Sequence, residues 1–301
     1  MRSFSGLAAG RARKVRRHPR RMRGTRGVGS AIAVVFIILI LVAAINSYLV
    51  TTLPQQMSVL EFQHAIVVKD EFEQLQSNVL LESANPSTHS YIIAPIQLGS
   101  QGEPPFGNPA ASTVFTDPAS SNSARISTGQ TVLGGLFDTL YNRYFPINTV
   151  VYEYGAVIQG GPANYSTMIS PPLANAYRIT GGYGLNLTMV QLVVQNFSIQ
   201  SGTGVMGVAT HLLNTFTYSS TTLTGPAQWF NITTPYPGAW ASYFNSSALY
   251  SVVVSWPYIH ACSTSSGELV CTVSVPLRLQ AITITVDTVG LSLGSWSAGS
   301  T

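Results

Sequence analysis

From Gly27 to Leu60 the chain carries no charged residue, and inside that run lies the segment that most restricts its fold. Val28 to Val50 reads VGSAIAVVFIILILVAAINSYLV, and fourteen of these 23 residues are Val, Ile, Leu or Phe. As a helix the segment spans roughly 34 Å, enough for a ~30 Å hydrocarbon core with some tilt. At about −0.3 to −0.6 kcal/mol per apolar residue, the fourteen contribute roughly −4 to −8 kcal/mol to insertion. Asn46 and Ser47 subtract a little near the far end. The segment is expected to cross a bilayer.

Charge decides the orientation. Arg2, Arg11, Arg13, Lys14, Arg16, Arg17, Arg20, Arg21, Arg23 and Arg26 are ten of the fifteen bases, and no acid accompanies them. The remainder holds five bases against eleven acids, a net of −6. The overall +4 is therefore an average of a cationic end and a weakly anionic body. The positive-inside rule places the N-terminus in the cytoplasm and residues from about 54 onward outside. Nucleic-acid binding by the tail lacks interleaved aromatics beyond Phe4 and a recognition fold, so no nucleic-acid partner is expected. Only 9% of residues are charged, against roughly a quarter in an ordinary soluble domain. A cytosolic enzyme rarely looks so neutral.

Three fates of the apolar segment compete: a permanent anchor, signal-peptidase cleavage after Ala44, or cleavage by a prepilin-type peptidase. The third rests on a resemblance. Arg26-Gly27-Val28-Gly29-Ser30-Ala31-Ile32-Ala33-Val34-Val35 resembles the N-terminal signature of archaeal type IV pilin-like proteins. That resemblance implies cleavage between Gly27 and Val28, with the helix kept on the mature chain. Ile32, the fifth mature residue, stands where bacterial pilins carry Glu.

Pro54 is expected to break or kink the helix at the membrane exit. Beyond it, Leu60, His64, Val68, Phe72, Leu75 and Val79 form a narrow apolar stripe at helical spacing. Glu61, Asp70, Glu71, Glu73 and Glu82 are expected mostly off that stripe. Asn85-Pro86 ends the helix. The stripe needs a partner, either the chain's own distal domain or the same helix in neighbouring copies. His64 reads as a packed residue, not a ligand. Val59-Leu60-Glu61-Phe62-Gln63-His64 and Phe72 to Leu80 resemble a group of archaeal single-span proteins. The similarity continues in patches through Asn108 to Ser112, Tyr141-Asn142-Arg143-Tyr144 and Tyr152 to Ile158. It implies an N-terminal helix carrying a β-rich external domain.

The fold class expected is α+β: a transmembrane helix continuing into an amphipathic stalk helix, then a mainly antiparallel, sandwich-like β domain outside. The divisions are a basic leader (1–27), the membrane helix (28–53), the stalk (55–84), an irregular Pro/Gly/Ser-rich segment with short strands (85–148), the β domain (149–290) and a flexible tail (291–301). Within the β domain, Asn186 to Ile199 and Val205 to Tyr218 flank Ser201-Gly202-Thr203-Gly204 and read as a hairpin. Leu249 to Ile259 and Leu269 to Val289 read as further strands. Ile282-Thr283-Ile284-Thr285-Val286 alternates, so one face should be buried.

Five sequons lie at Asn164, Asn186, Asn196, Asn231 and Asn245, all on the external side of the expected topology. Cys262 and Cys271 enclose eight residues and are expected to form a disulfide stapling a hairpin. Without a second Cys pair or suitable His spacing they make no zinc site, and no metal or other cofactor is expected.

Gly202-Thr203-Gly204-Val205-Met206-Gly207 matches a dinucleotide fingerprint but lacks the following helix and acid. Gly290-Leu291-Ser292-Leu293-Gly294 matches a hydrolase elbow but no later acid or His follows. No catalytic residues are assigned. Glu103, Asp117, Asp138 and Glu153 could serve as paired carboxylates only if the fold brought them together. The leading reading is a non-enzymatic, pilin-like surface protein, its partners being the bilayer and other subunits through the N-terminal helix. The alternatives are a monomeric binding module presenting aromatics such as Trp229 and Trp240, and, remotely, an extracellular hydrolase.

Overall fold

The computed structural model describes residues 25–86, 91–100, 102, 107–117, 123–126, 131–147, 149–160, 165–194, 199–220, 228–246, 249–265 and 268–295. The leader before residue 25, Asn164, Asn196 and residues 296–301 lie outside the described residues. The chain divides into two units, Met1–Val50 and Thr51–Thr301.

In the first unit, α1 covers Thr25–Ser47. Every residue from Gly29 to Ser47 is exposed. A helix apolar on all sides and exposed on all sides needs an apolar surrounding. It is long and apolar enough to cross a membrane.

Tyr48–Thr52 forms a π-helical turn, and α2 follows as Leu53–Ala84. Pro54 is the second residue of α2, directly after the π-helical turn. Its ring would clash with the Val50 carbonyl in a regular α-helix, and the widened turn lies at that point. The expected break is therefore a π-turn before the proline. At the far end the Asn85 N–H bonds back to the Glu82 carbonyl at 3.1 Å.

The described strands are β1 (Ile92–Gln97), β2 (Gly99–Ser100), β3 (Ala110–Asp117), β4 (Ser123–Ile126), β5 (Thr131–Leu133), β6 (Gly135–Leu140), β7 (Thr149–Glu153), β8 (Ala156–Gly160), β9 (Ser166–Ser170), β10 (Ala174–Ile179), β11 (Gly182–Val194), β12 (Ile199–Gly202), β13 (Val205–Ser220), β14 (Gln228–Thr234), β15 (Tyr258–Ser265), β16 (Glu268–Leu277) and β17 (Ala281–Ser295). A short helix, α3 (Pro237–Phe244), lies between β14 and β15. The first sheet has the order β1-β13-β17-β11-β10. The second runs β12-β3-β6-β7-β8-β9, with β2 also on β3, and the third β15-β16-β14-β4-β5. Pairing is antiparallel except between β11 and β17. Pro95 falls in β1, an edge strand, where a missing donor is tolerated.

Several local expectations change. The expected hairpin of β11 and β13 does not form, because β17 lies between them and β12 pairs with β3. Turn residues signal where a strand ends, whereas partners are chosen by which faces can be buried together. Leu249 to Pro257 is turn and coil with a single bridge, Val253 to Leu277. The segment 85–148 contributes β1 to β6, and β17 continues through residues assigned to the tail, with Leu291 fully buried.

Two cores result. Leu185, Leu187 and Met189 of β11 and Ile282, Ile284 and Val286 of β17 join Phe230, Ile232, Val273, Val275 and α3 in one. Val190 and Leu192, with Val289 and Leu291, join the other, together with α2. The change of parity along both strands means that the first sheet buries its two faces at different places. Val68, Phe72, Leu75 and Val79 pack on Ala94, Ile96, Leu136, Val150 and Val208 in the second core. The α2 stripe thus finds its partner in the chain's own domain.

Candidate functional site

Polar anchors fix α2 on the domain. Glu61 is only 1% exposed. Its Oε1 accepts the Arg143 N–H at 2.9 Å, and its Oε2 accepts the N–H groups of Tyr144 and Phe145 at 2.6 and 2.8 Å. Residues 143–146 are a bend without a strand partner. The carboxylate supplies the acceptors that this backbone lacks. One turn on, His64 Nε2 lies 3.0 Å from the Gln97 carbonyl, which can only accept, so Nε2 carries the proton. Burial lowers the pKa of His64 and keeps it neutral. Gln76 donates to the Gly155 and Pro171 carbonyls at 2.7 and 2.9 Å. The Gln97 N–H donates to Glu71 Oε2 at 2.8 Å, and Thr210 Oγ1 donates to Glu82 Oε1 at 2.8 Å.

Glu61 and Glu82 therefore lie on the buried face and not away from it, and Glu71 reaches the domain from its margin. Their physical reason is acceptor duty toward the domain's N–H and O–H groups. The Glu61–His64 element and the Tyr141–Tyr144 segment, distant in sequence, meet here.

Of the four acids weighed as paired carboxylates, Glu103 lies outside the described residues and two are closed off. Asp138 and Glu153 are each 0% exposed. Burial pushes the Asp138 carboxyl up to about 7; Ser112 opposes this, and the Glu71 carboxylate adds a smaller upward push. Burial likewise pushes Glu71 up to about 7. Among the described residues no three His, Cys, Asp or Glu side chains gather as metal ligands.

Among the described residues, an open surface that combines aromatic and polar side chains lies on the outer face of the third sheet. Alternation along β14 turns Phe230 and Ile232 into the core and Trp229, Asn231 and Thr233 outward. Register places Asn231 beside Ser274, and Ser274 beside Tyr258. Trp229 is 43% and Tyr258 54% exposed, with ring centroids 6.0 Å apart. With Asn231, His260 and Ser274 they line a shallow depression of about 450 Å³. Ser274 Oγ donates to Asn231 Oδ1 at 2.7 Å and lies 3.4 Å from His260 Nε2.

Trp240, the other aromatic considered for binding, does not belong to this surface. It is 1% exposed, tilted against Tyr154 and stacked on Phe244 in the core. α3 turns it inward, where its indole N–H finds the Glu153 carboxylate at 2.6 Å.

Cys262 and Cys271 form a disulfide, with Cα atoms 4.0 Å apart. It joins β15 and β16 where β15 bulges between His260 and Ser263. Ala261, in the bulge, has φ +49°.

The Gly27–Val28 bond lies in the first turn of α1. Asn186 on β11 and Asn245 at the end of α3 are exposed, and Asn231 is half-buried. Sequence reasoning did not reach Tyr258, His260 and Ser274, since only the register of β15 and β16 brings them to Trp229. Comparison with family models, curated proteins and solved structures finds no match to this chain.

Proposed function

We propose that this is a non-enzymatic, membrane-anchored cell-surface protein of pilin-like build, of the archaeal kind that its N-terminus resembles. The observation that carries the reading is the division of labour between the two helical stretches. The stripe of α2 is consumed inside its own domain. α1 retains a fully exposed apolar surface, including Val35, Phe36, Ile37 and Ile40. That surface is available to lipid before assembly and to α1 of neighbouring copies afterwards. Ten cations precede it, which favours a cytoplasmic N-terminus and an external domain. A disulfide suits an oxidising exterior. A prepilin-type peptidase would cut at Gly27–Val28 and leave α1 on the mature chain.

The test is sequencing of the mature N-terminus of protein isolated from its own membranes. A start at Val28 is expected. Retention of residues 1–27 refutes the processed-subunit reading and leaves a single-pass anchor.

A further inference from the structure

Four features converge on the depression of the third sheet. It contains the acceptor of a sequon, Asn231-Ile232-Thr233. Two residues before the acceptor, on the same outward face, stands Trp229, and Tyr258 leans toward it from β15. The Asn231 amide is already oriented, since Ser274 Oγ donates to its Oδ1. That bond engages the amide oxygen, leaving the amide nitrogen as the group to be modified. The exposed His260 places a further polar group at the edge, its Nε2 3.4 Å from Ser274 Oγ.

This is the chemistry of a seat for a pyranose. One face of such a ring is a patch of C–H groups that packs on an aromatic face, while its hydroxyls need donors and acceptors at the edge. We propose that Asn231 carries an N-linked glycan whose first sugar ring lies in this depression, packed on Trp229 and Tyr258. The transfer joins the Asn231 amide nitrogen to the anomeric carbon of a polyprenyl-phosphate-linked sugar. The bond from that carbon to the phosphate oxygen breaks, and the lipid phosphate leaves with its electrons. The amide proton passes to a base of the transferase. Asn186 and Asn245 are also exposed sequon acceptors, but the exposed Trp–Tyr pair lies beside Asn231.

The inference rests on the proposed reading only for the compartment, because the transfer occurs outside the cytoplasm. The N-terminal sequence reports on anchoring and processing, and the glycopeptide reports on this site, so either can fail alone.

The experiment uses full-length protein purified from the membranes of its own host. Glycopeptide mass spectrometry should find Asn231 occupied. Asn231→Gln and Thr233→Ala should each remove that one glycan. Both should lower Tm by about 2–4 °C, the shift expected when a modest contact is lost from a domain of this size. In a Trp229→Ala background, occupancy should persist and the Asn231→Gln shift should fall to less than a third. A bare Asn231 overturns the proposal. So does an undiminished shift without Trp229, which means that the sugar does not use the aromatic pair. Binding of free monosaccharide or oligosaccharide to a bare Asn231 chain, abolished by Trp229→Ala, also overturns it in favour of a receptor site.

Discussion

The indole N–H of Trp240 and the carboxylate of Glu153 form a 2.6 Å hydrogen bond in which both residues are buried. Glu153 Oε1 also accepts from Thr234 Oγ1 at 2.6 Å. Glu153 closes the β7–β8 hairpin opposite Ala156, with Tyr154 (φ 52°) and Gly155 (φ 89°) as the two turn residues. The acid thus ties the hairpin to β14 and α3. Glu153→Ala would strip the acceptor from two buried donors and leave a cavity, at a cost of about 3–5 kcal/mol. Glu153→Gln keeps an acceptor oxygen and should cost on the order of 1 kcal/mol. Denaturant midpoints of the detergent-solubilised chain distinguish the two. Equal midpoints for wild type and Glu153→Ala would remove Glu153 as the tie.

Glu61 makes a separate prediction about α2. Its three backbone donors belong to residues 143–145, which have no ladder partners. Glu61→Ala should release this bend and raise hydrogen exchange at the Tyr144 and Phe145 amides at least about tenfold, since several buried donors lose their acceptor. Core amides of β17 should change little. Protection that survives in the variant would mean that the bend is held by other contacts.

The bulge beside the disulfide stores a local cost. Ala261 has φ +49°, which is unfavourable for a residue with a Cβ by about 1–2 kcal/mol. Ala261→Gly should therefore raise the unfolding free energy, by up to about 1 kcal/mol once the entropy of the added glycine is counted, and the denaturant midpoint with it. The paired substitution Cys262→Ser with Cys271→Ser should lower stability by roughly 2–3 kcal/mol, as expected for so small a loop. Opposite signs from two neighbouring positions, read by the same denaturation, are the check.

What could be read in the sequence follows the range of the physics involved. The apolar segment, the α2 stripe and the 282–286 alternation are periodic and local, and each reappears as α1, a buried helix face and a half-buried strand. The Cys pair is close in sequence and forms its bond. Pairing is not local. Nothing between Val194 and Val205 announces that β17, almost ninety residues later, separates β11 from β13. The buried acids were misplaced for a related reason. Glu61 and Glu82 are expected mostly off the apolar stripe, whereas distant N–H and O–H groups make their burial favourable. Trp229 and Trp240 were indistinguishable until strand alternation turned one outward and α3 turned the other inward. Tyr258, His260 and Ser274 needed the register of two strands to join Trp229.

The buried carboxyls set a pH dependence. Asp138 and Glu71 are raised from 3.8 and 4.5 to about 7, mainly by burial, and Glu82 is raised in the same direction for the same reason. A carboxyl whose folded pKa exceeds its unfolded one stabilises the fold below the unfolded value. That contribution is lost as pH rises through the folded value. Between about pH 4 and 7 the native state holds protons that the unfolded chain has released, so stability should fall with rising pH and level off above 7. His64, lowered by burial, acts oppositely below about 6.5, where the unfolded chain binds a proton that the folded state resists. Three carboxyls against one imidazole leave the falling slope in place. Asp138→Asn removes one titrating group from the centre of the second sheet. The slope should become shallower by up to about 1.4 kcal/mol per pH unit, and the variant should be the more stable protein at pH 8. Tm measured at half-unit steps from pH 4.5 to 8.5 on both proteins tests this. A variant whose profile runs parallel to that of the wild type would show that Asp138 does not titrate in this window.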